Sequence, residues 1–199
     1  MKLLFADCCI SQRGSGSRTG KLCSAFLTAA AEADPHLSVT HLDLDRTQLQ
    51  PFTVGMLNER DRLFQNGQFE NEIYAPARQF RDADGIVIGA PFWDLLFPAK
   101  LKIYIEHISA NGVTYYYDEK GPHGSCKAAW LVYLSSGGDF ERPGSLGAEY
   151  WKQLCGMFGI RQYYSLFAGG LDAEPDRTEE FLNGKCREAS ALAKTLLKR

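Results

Sequence analysis

Apolar and polar positions follow two alternating rhythms along the chain, one of strands and one of helices. The run KLLFAD at residues 2–7 predicts a buried strand. From Ser17 the spacing turns helical, with Leu22, Cys23, Phe26, Leu27 and Ala30 on one face. The alternating LSVTHLDL at 37–44 predicts a second strand, and a long connection through NERDRLFQNGQF leads into a helix near Glu70 to Arg81. DGIVIGAP supplies a third strand whose Ile86, Val87 and Ile88 are apolar on both faces, as in a central parallel strand covered by helices on each side. Pro98 suits a first helical position, and Leu101, Tyr104, Ile105 and Ile108 recur behind it at helical spacing. A fourth strand in KAAWLVYL (127–134) is ended by SSGG. A helix in SLGAEYWKQLCGMFG precedes a fifth strand in YYSLFAGG. The last helix begins near Pro175, with Leu182, Cys186, Ala189, Ala193 and Leu196 as its buried stripe, and Tyr115, Tyr116 and Tyr117 fit a short hairpin. Strand and helix alternate without repeat or linker. This predicts one doubly wound α/β domain over residues 1–199, with a five-stranded parallel sheet, helices on both faces and right-handed crossovers.

In such a sheet ligands bind beyond the carboxyl ends of the strands, so the loops leaving strands one, three and four hold the candidate chemistry. The first, CCISQRGSGSRT, misses both familiar phosphate fingerprints. Five residues separate Gly14 from Gly20 and Leu22 follows Lys21, which a P-loop forbids; Gly14, Gly16 and Gly20 are also one residue too widely spaced for a dinucleotide loop. Its hydroxyls at Ser15, Ser17 and Thr19, with the amides of a helix start, suit a single phosphomonoester, and equally suit an ordinary capped helix. The second loop, APFWDLLFPAKL, carries Phe92, Trp93, Leu95, Leu96 and Phe97 where polar turn residues are usual. That bulk covers a flat ligand, caps the core or meets a second subunit. The third, SSGGDF, offers Gly137 and Gly138 where backbone must approach a ligand closely. A phosphate, a planar ring and backbone donors at its edge together describe a flavin mononucleotide.

Charge removes other partners from consideration. With 22 basic and 24 acidic residues, well mixed and summing to -2, the chain presents no cationic field for nucleic acid or an anionic membrane. The apolar stretch at the N-terminus is too short for a signal-peptide core and no segment has the length of a membrane span, so a cytoplasmic protein is expected. Cys8, Cys9, Cys23, Cys126, Cys155 and Cys186 show no metal-ligand spacing and read as reduced, mostly buried thiols. Cys9, ahead of the candidate phosphate loop, is the candidate for a reactive thiol. His107 and His123 read as structural.

The block DGIVIGAPFWDLLFPAKLKIYIEHISANGVTYYYDEKGPHG, followed by a strand and SSGG, resembles the FMN-dependent NADH:quinone and azo-compound reductases of the flavodoxin-like fold. The resemblance implies the sheet order 2-1-3-4-5. It implies that Ser15, Gly16 and Ser17 hold the FMN phosphate, with Cys9 where the family often has Ser. Pro91, Phe92, Trp93, Asp94 and Leu95 would pass along the isoalloxazine, and Ser135, Ser136, Gly137 and Gly138 would flank its other side. It further implies ping-pong hydride transfer through flavin N5 from NADH or NADPH to a quinone or azo acceptor, without a catalytic side chain, in a homodimer where Tyr116 and Tyr117 reach the neighbouring subunit's substrate pocket. The ring loop departs from the family at all four positions. Its ring loop is usually Met-Tyr-Asn-Phe; here it is Phe-Trp-Asp-Leu, and Trp93 is closer to FAD-containing quinone reductases, so FAD is the alternative cofactor. Asp94 replaces an amide donor with a carboxylate that only accepts. A flavodoxin-like electron carrier is the rival function; carriers tend to be strongly acidic for docking, and this chain is nearly neutral.

Overall fold

The computed structural model describes residues 1–10, 16–139 and 145–198. The first half of the chain forms β1 (Lys2–Asp7), α1 (Arg18–Ala33), β2 (Ser38–Asp43), α2 (Val54–Gln65), α3 (Ala75–Arg81), β3 (Gly85–Gly89) and α4 (Ala99–Ile108). A hairpin of β4 (Tyr115–Asp118) and β5 (Gly121–Gly124) follows, then β6 (Trp130–Ser136), α5 (Leu146–Phe158), β7 (Gln162–Ala168) and α6 (Thr178–Leu197). The main sheet is parallel in the order β2-β1-β3-β6-β7, and β4 and β5 pair with each other antiparallel outside it. Without the hairpin strands this is the order 2-1-3-4-5, as the resemblance implies.

The two faces of the sheet are sorted by strand alternation. Leu4, Ala6, Ile86, Ile88, Leu131 and Tyr133 meet α3, α4 and α5 on one face, with Phe80, Leu101 and Trp151. Leu3, Phe5, Val87, Val132 and Leu134 meet α1 and α6 on the other, with Leu22, Phe26, Leu182 and Ala189. β3 is buried at every position, which is why its sequence lacks a polar face. The order of strands reverses between β1, whose next strand β2 lies to one side, and β3, from which β6 and β7 continue to the other. This is the switch point, and it is where the candidate loops emerge.

Three expectations are corrected. The connection through NERDRLFQNGQF is helical as far as Gln65, as the second half of α2, which buries only Leu63 and leaves Val54, Leu57 and Phe64 exposed. Without a buried stripe its periodicity is weak; the Thr53 cap on the Met56 N–H at 3.3 Å and the Arg62–Glu59 pair support it instead. The helix expected over 70–81 starts later: Glu72–Tyr74 is a 3-10 turn and α3 begins at Ala75, with Pro76 in its first turn. The fourth strand runs on through Ser135 and Ser136, which pair with Phe167 and Ala168 of β7.

Candidate active site

The loops after β1, β3 and β6 line one cleft of about 190 Å³, walled by Cys9, Ser17, Arg18, Thr19, Pro91, Phe92, Trp93, Ser136, Gly137, Gly138 and Asp172. A larger groove of about 760 Å³ lies beside it between α1 and β2, but the β3 and β6 loops contribute nothing to its wall. The smaller cleft sits at the switch point and is the candidate site.

α1 starts there. Ser17 is its N-cap, with Oγ accepting from the Gly20 N–H at 3.1 Å, and helix geometry leaves the N–H groups of Arg18 and Thr19 without acceptors inside the helix. The first turn carries no acidic residue of its own, so the positive end of the helix dipole faces the cleft. Thr19 does not present its hydroxyl to a ligand as the sequence suggested. It is buried and shares a 2.6 Å hydrogen bond with the buried Ser136 hydroxyl, tying the start of α1 to the end of β6. Gly16 is exposed beside Ser17, and Ser15 lies outside the described residues.

The β3 loop forms the facing wall. Ala90 donates to Leu134 O at 3.0 Å and Phe92 to Ser136 O at 2.9 Å, so the loop continues alongside β6 before it turns. The Phe92 ring stands edge-on to Phe167 at 5.7 Å. Trp93 O then accepts from Leu96 N at 2.8 Å around Asp94 and Leu95, whose φ values of 49° and 67° are left-handed. Asp tolerates that region, whereas Leu costs about 1–2 kcal/mol there. Strain of this kind collects where a side chain must be aimed, and here it leaves Trp93 and Leu95 43% and 58% exposed. Asp94 and Leu95 stand at the rim, outside the enclosed part of the cleft. Phe97, counted with them in the sequence, turns inward and is buried in the core.

On the third loop Ser136, Gly137 and Gly138 line the cleft and Ser135 does not. Alternation puts Ser135, buried, on the opposite face with Tyr133. A Cβ at Gly137 would stand 2.8 Å from Phe167 and 3.3 Å from Phe92, and one at Gly138 would stand 2.3 Å from an Asp172 carboxylate oxygen, so a side chain at either position would displace one of these neighbours. Leu171 to Ala173 zip onto this loop through the backbone of Gly137 and Gly138. The Asp172 carboxylate accepts from Arg18 at 2.6 Å across the mouth of the cleft. Sequence reading missed both members of this ion pair. They lie 154 residues apart, and only the parallel sheet brings β7's exit loop to α1. Tyr116 and Tyr117 are exposed on the hairpin and do not enter the cleft of their own chain. His107 is structural: it bonds Gln50 O at 2.9 Å and stacks on Phe52.

A ligand cleft at the switch point of a 2-1-3-4-5 parallel sheet defines a flavodoxin-like α/β protein. The chain belongs to the Flavodoxin_2 family, of flavodoxin-like fold, whose model matches residues 1–192. It is similar to FMN-dependent NADH:quinone oxidoreductase 2 of Clostridium perfringens (strain 13 / Type A), 30% identical over 195 residues that span 97% of this chain and 98% of that one. An azoreductase from Bacillus anthracis str. Sterne superposes with a TM-score of 0.86 at 26% identity, covering 98% of this chain and 99% of its own. An FMN-dependent NADH-azoreductase from Bacillus anthracis str. Ames Ancestor, solved in complex with FMN, shares the fold at a TM-score of 0.83 and 19% identity, with 98% of each chain covered.

Proposed function

We propose that this protein is an FMN-dependent oxidoreductase that uses NADH to reduce quinones and azo compounds. The observation that carries the reading is the convergence of the β1, β3 and β6 loops on one cleft with an open helix start, aromatic side chains and a glycine-lined wall. The similar oxidoreductases and azoreductases support it. The residues fit the cofactor. Ser17 and the first amides of α1, which have no acceptor inside the helix, would hold its phosphate, with Gly16, Cys9 on the cleft wall and, by its place in the sequence, Ser15. Pro91, Phe92, Trp93, Asp94 and Leu95 would border one side of the ring, and Ser136, Gly137 and Gly138 the other. The enclosed volume is below that of a whole flavin nucleotide, so such a ligand needs the open rim as well, where Trp93 and Leu95 stand exposed.

When bound, FMN would supply the two-electron centre that takes hydride from the nicotinamide and gives it to the acceptor. The protein's part is to orient and to exclude water. Among the described residues the titratable side chains on the cleft wall are Cys9 and the paired Arg18 and Asp172. The exposed Leu95, Tyr116, Tyr117 and Leu146 are the apolar surface a second copy would cover in a homodimer, with Tyr116 and Tyr117 closing the partner's substrate pocket. Among the described residues no helix is long and apolar enough to cross a membrane, and action in the cytoplasm is part of the same proposal.

The test is to purify the chain, record its visible spectrum, identify any released flavin and add NADH without oxygen. Yellow protein holding FMN that bleaches with NADH and recovers its colour with a quinone is the expected result. Colourless protein that cannot be reconstituted overturns the reading, and yellow protein that neither NADH nor NADPH reduces points to an electron carrier. A finer result is expected at the ring loop. Asp94 puts a carboxylate where it opposes negative charge gained by the ring on reduction, so Asp94→Asn should raise the two-electron midpoint potential by on the order of 10–30 mV, a small shift because the side chain is exposed. Equilibration with reference dyes reads it, and an unchanged or lower potential would place Asp94 away from the ring.

A further inference from the structure

We propose that Arg18 selects the cofactor by its phosphate: Asp172 holds the Arg18 guanidinium across the mouth of the cleft, and a phosphomonoester at the start of α1 takes it over, so that FMN is preferred to FAD and to riboflavin. The proposal deepens the reading of the cleft as a flavin site and rests on it. Arg18 is the first residue of α1, so its backbone N–H is one of those without an acceptor inside the helix and its side chain starts from the same place. Among the described residues it is the one basic side chain on the cleft wall. The nearby Lys21 is paired with Glu179 at 3.2 Å, and Arg177 lies between Glu174 and Glu180 at 3.0 Å from each.

The two members of the pair are held very differently. Asp172 is fixed by its surroundings. Its N–H donates to Gly138 O at 2.9 Å, the Ala173 N–H donates to the same oxygen at 3.2 Å, and Leu171 O accepts from the Thr178 hydroxyl at 2.7 Å. The carboxylate lies over Gly138, where a Cβ would come within 2.3 Å of it. Arg18 is fixed at its backbone alone. Its bond to Asp172 is single, from Nη1 to Oδ1 at 2.6 Å, and among the described residues its Nε and Nη2 have no partner. A guanidinium carries five N–H donors in a planar fork that fits two oxygens of one phosphate at once. Most of that fork is unused here, on the wall of the cleft.

Charge favours the exchange. With side chains 32% and 68% exposed, Arg18 and Asp172 form a surface ion pair that holds weakly. A phosphomonoester carries close to two negative charges at neutral pH against the carboxylate's one, and it accepts the N–H groups of the helix start as well. Charge-assisted bonds from the fork to such an anion are stronger than the single bond to Asp172. Each phosphate of FAD carries one charge and riboflavin has no phosphate, so the gain falls in that order. Asp172 thereby sets a threshold that the ligand's phosphate must exceed.

The test is fluorescence titration of flavin-stripped, full-length protein with FMN, FAD and riboflavin at about 0.15 M salt, which screens distant charges. Arg18→Gln keeps the backbone N–H and should weaken FMN about tenfold, FAD less and riboflavin not at all. Asp172→Asn keeps the shape of the side chain over Gly138 and should tighten FMN about threefold with riboflavin unchanged. On the Arg18→Gln background that gain should vanish, because no cation is left for Asp172 to hold. Equal weakening of all three ligands in Arg18→Gln overturns the proposal, as does FMN affinity that does not respond to Arg18. A gain from Asp172→Asn that persists without Arg18 overturns it too, since Asp172 then acts through its own charge. A wild type that binds none of the three sinks the proposed function instead, and inorganic phosphate then decides the exchange. The Arg18 Nε–H NMR signal, identified by its absence from Arg18→Gln, should shift with phosphate, and at lower concentration in Asp172→Asn than in the wild type. A signal that ignores phosphate in both proteins overturns the exchange.

Discussion

Ser17→Asp is expected to leave the folded protein as stable as the wild type while weakening FMN at least about 100-fold. The two effects separate because Ser17 has two roles. As N-cap it accepts from Gly20 N–H, and Asp caps as well as Ser does and favours the positive end of the helix dipole. As the phosphate's neighbour it should stay uncharged. Two unit charges at 4 Å repel by about 4 kcal/mol at an effective dielectric of 20, and even with half of that lost to solvent the doubly charged phosphate restores the difference. Riboflavin has no phosphate and supplies the control: its affinity should be unchanged in the variant. Fluorescence titration of both ligands reads the result. Equal weakening of FMN and riboflavin would show that the start of α1 does not hold the phosphate.

The parts of the fold that could be read in the sequence are those whose burial is symmetric or strictly periodic. β3 declares itself because every residue from Gly85 to Gly89 is buried, and α4 because Leu101, Tyr104, Ile105 and Ile108 repeat at helical spacing on a buried face. α2 does not, since a helix that buries one residue carries no stripe to find. The candidate site divides in the same way. Loop composition exposes Phe92, Trp93 and the two glycines, because bulk or its absence is out of place in a turn. The Thr19 to Ser136 hydrogen bond and the Arg18 to Asp172 pair are invisible, because each joins residues more than a hundred positions apart through the sheet register. Ser135 is the instructive miss. Counting by twos from the apolar Leu131 and Tyr133 assigns it to the far face, while a motif match counts it with Ser136.

Gly124→Ala is expected to cost on the order of 3 kcal/mol, a fall in Tm of roughly 6–12 °C for a chain of this size. A Cβ there would lie 2.0 Å from both Gly159 N and the Phe158 carbonyl carbon, and 2.3 Å from Phe158 O. These are backbone atoms closing α5, where Gly159 at φ 79° forms the C-cap, so no rotamer change makes room. The end of the hairpin must lift from α5, straining the neighbouring Cys126 N–H to Phe158 O hydrogen bond of 3.1 Å. The candidate cleft is built on β1, β3 and β6 and owes nothing to β4 or β5, so FMN retention should survive at temperatures where the variant is folded. Tyr116 and Tyr117 ride on the displaced hairpin. If they close the partner's substrate pocket, the variant shows a raised KM for quinone with its flavin intact. Flavin lost in step with stability would mean instead that hairpin and cleft are coupled through α5. An unchanged KM in a folded variant would take the two tyrosines out of the pocket.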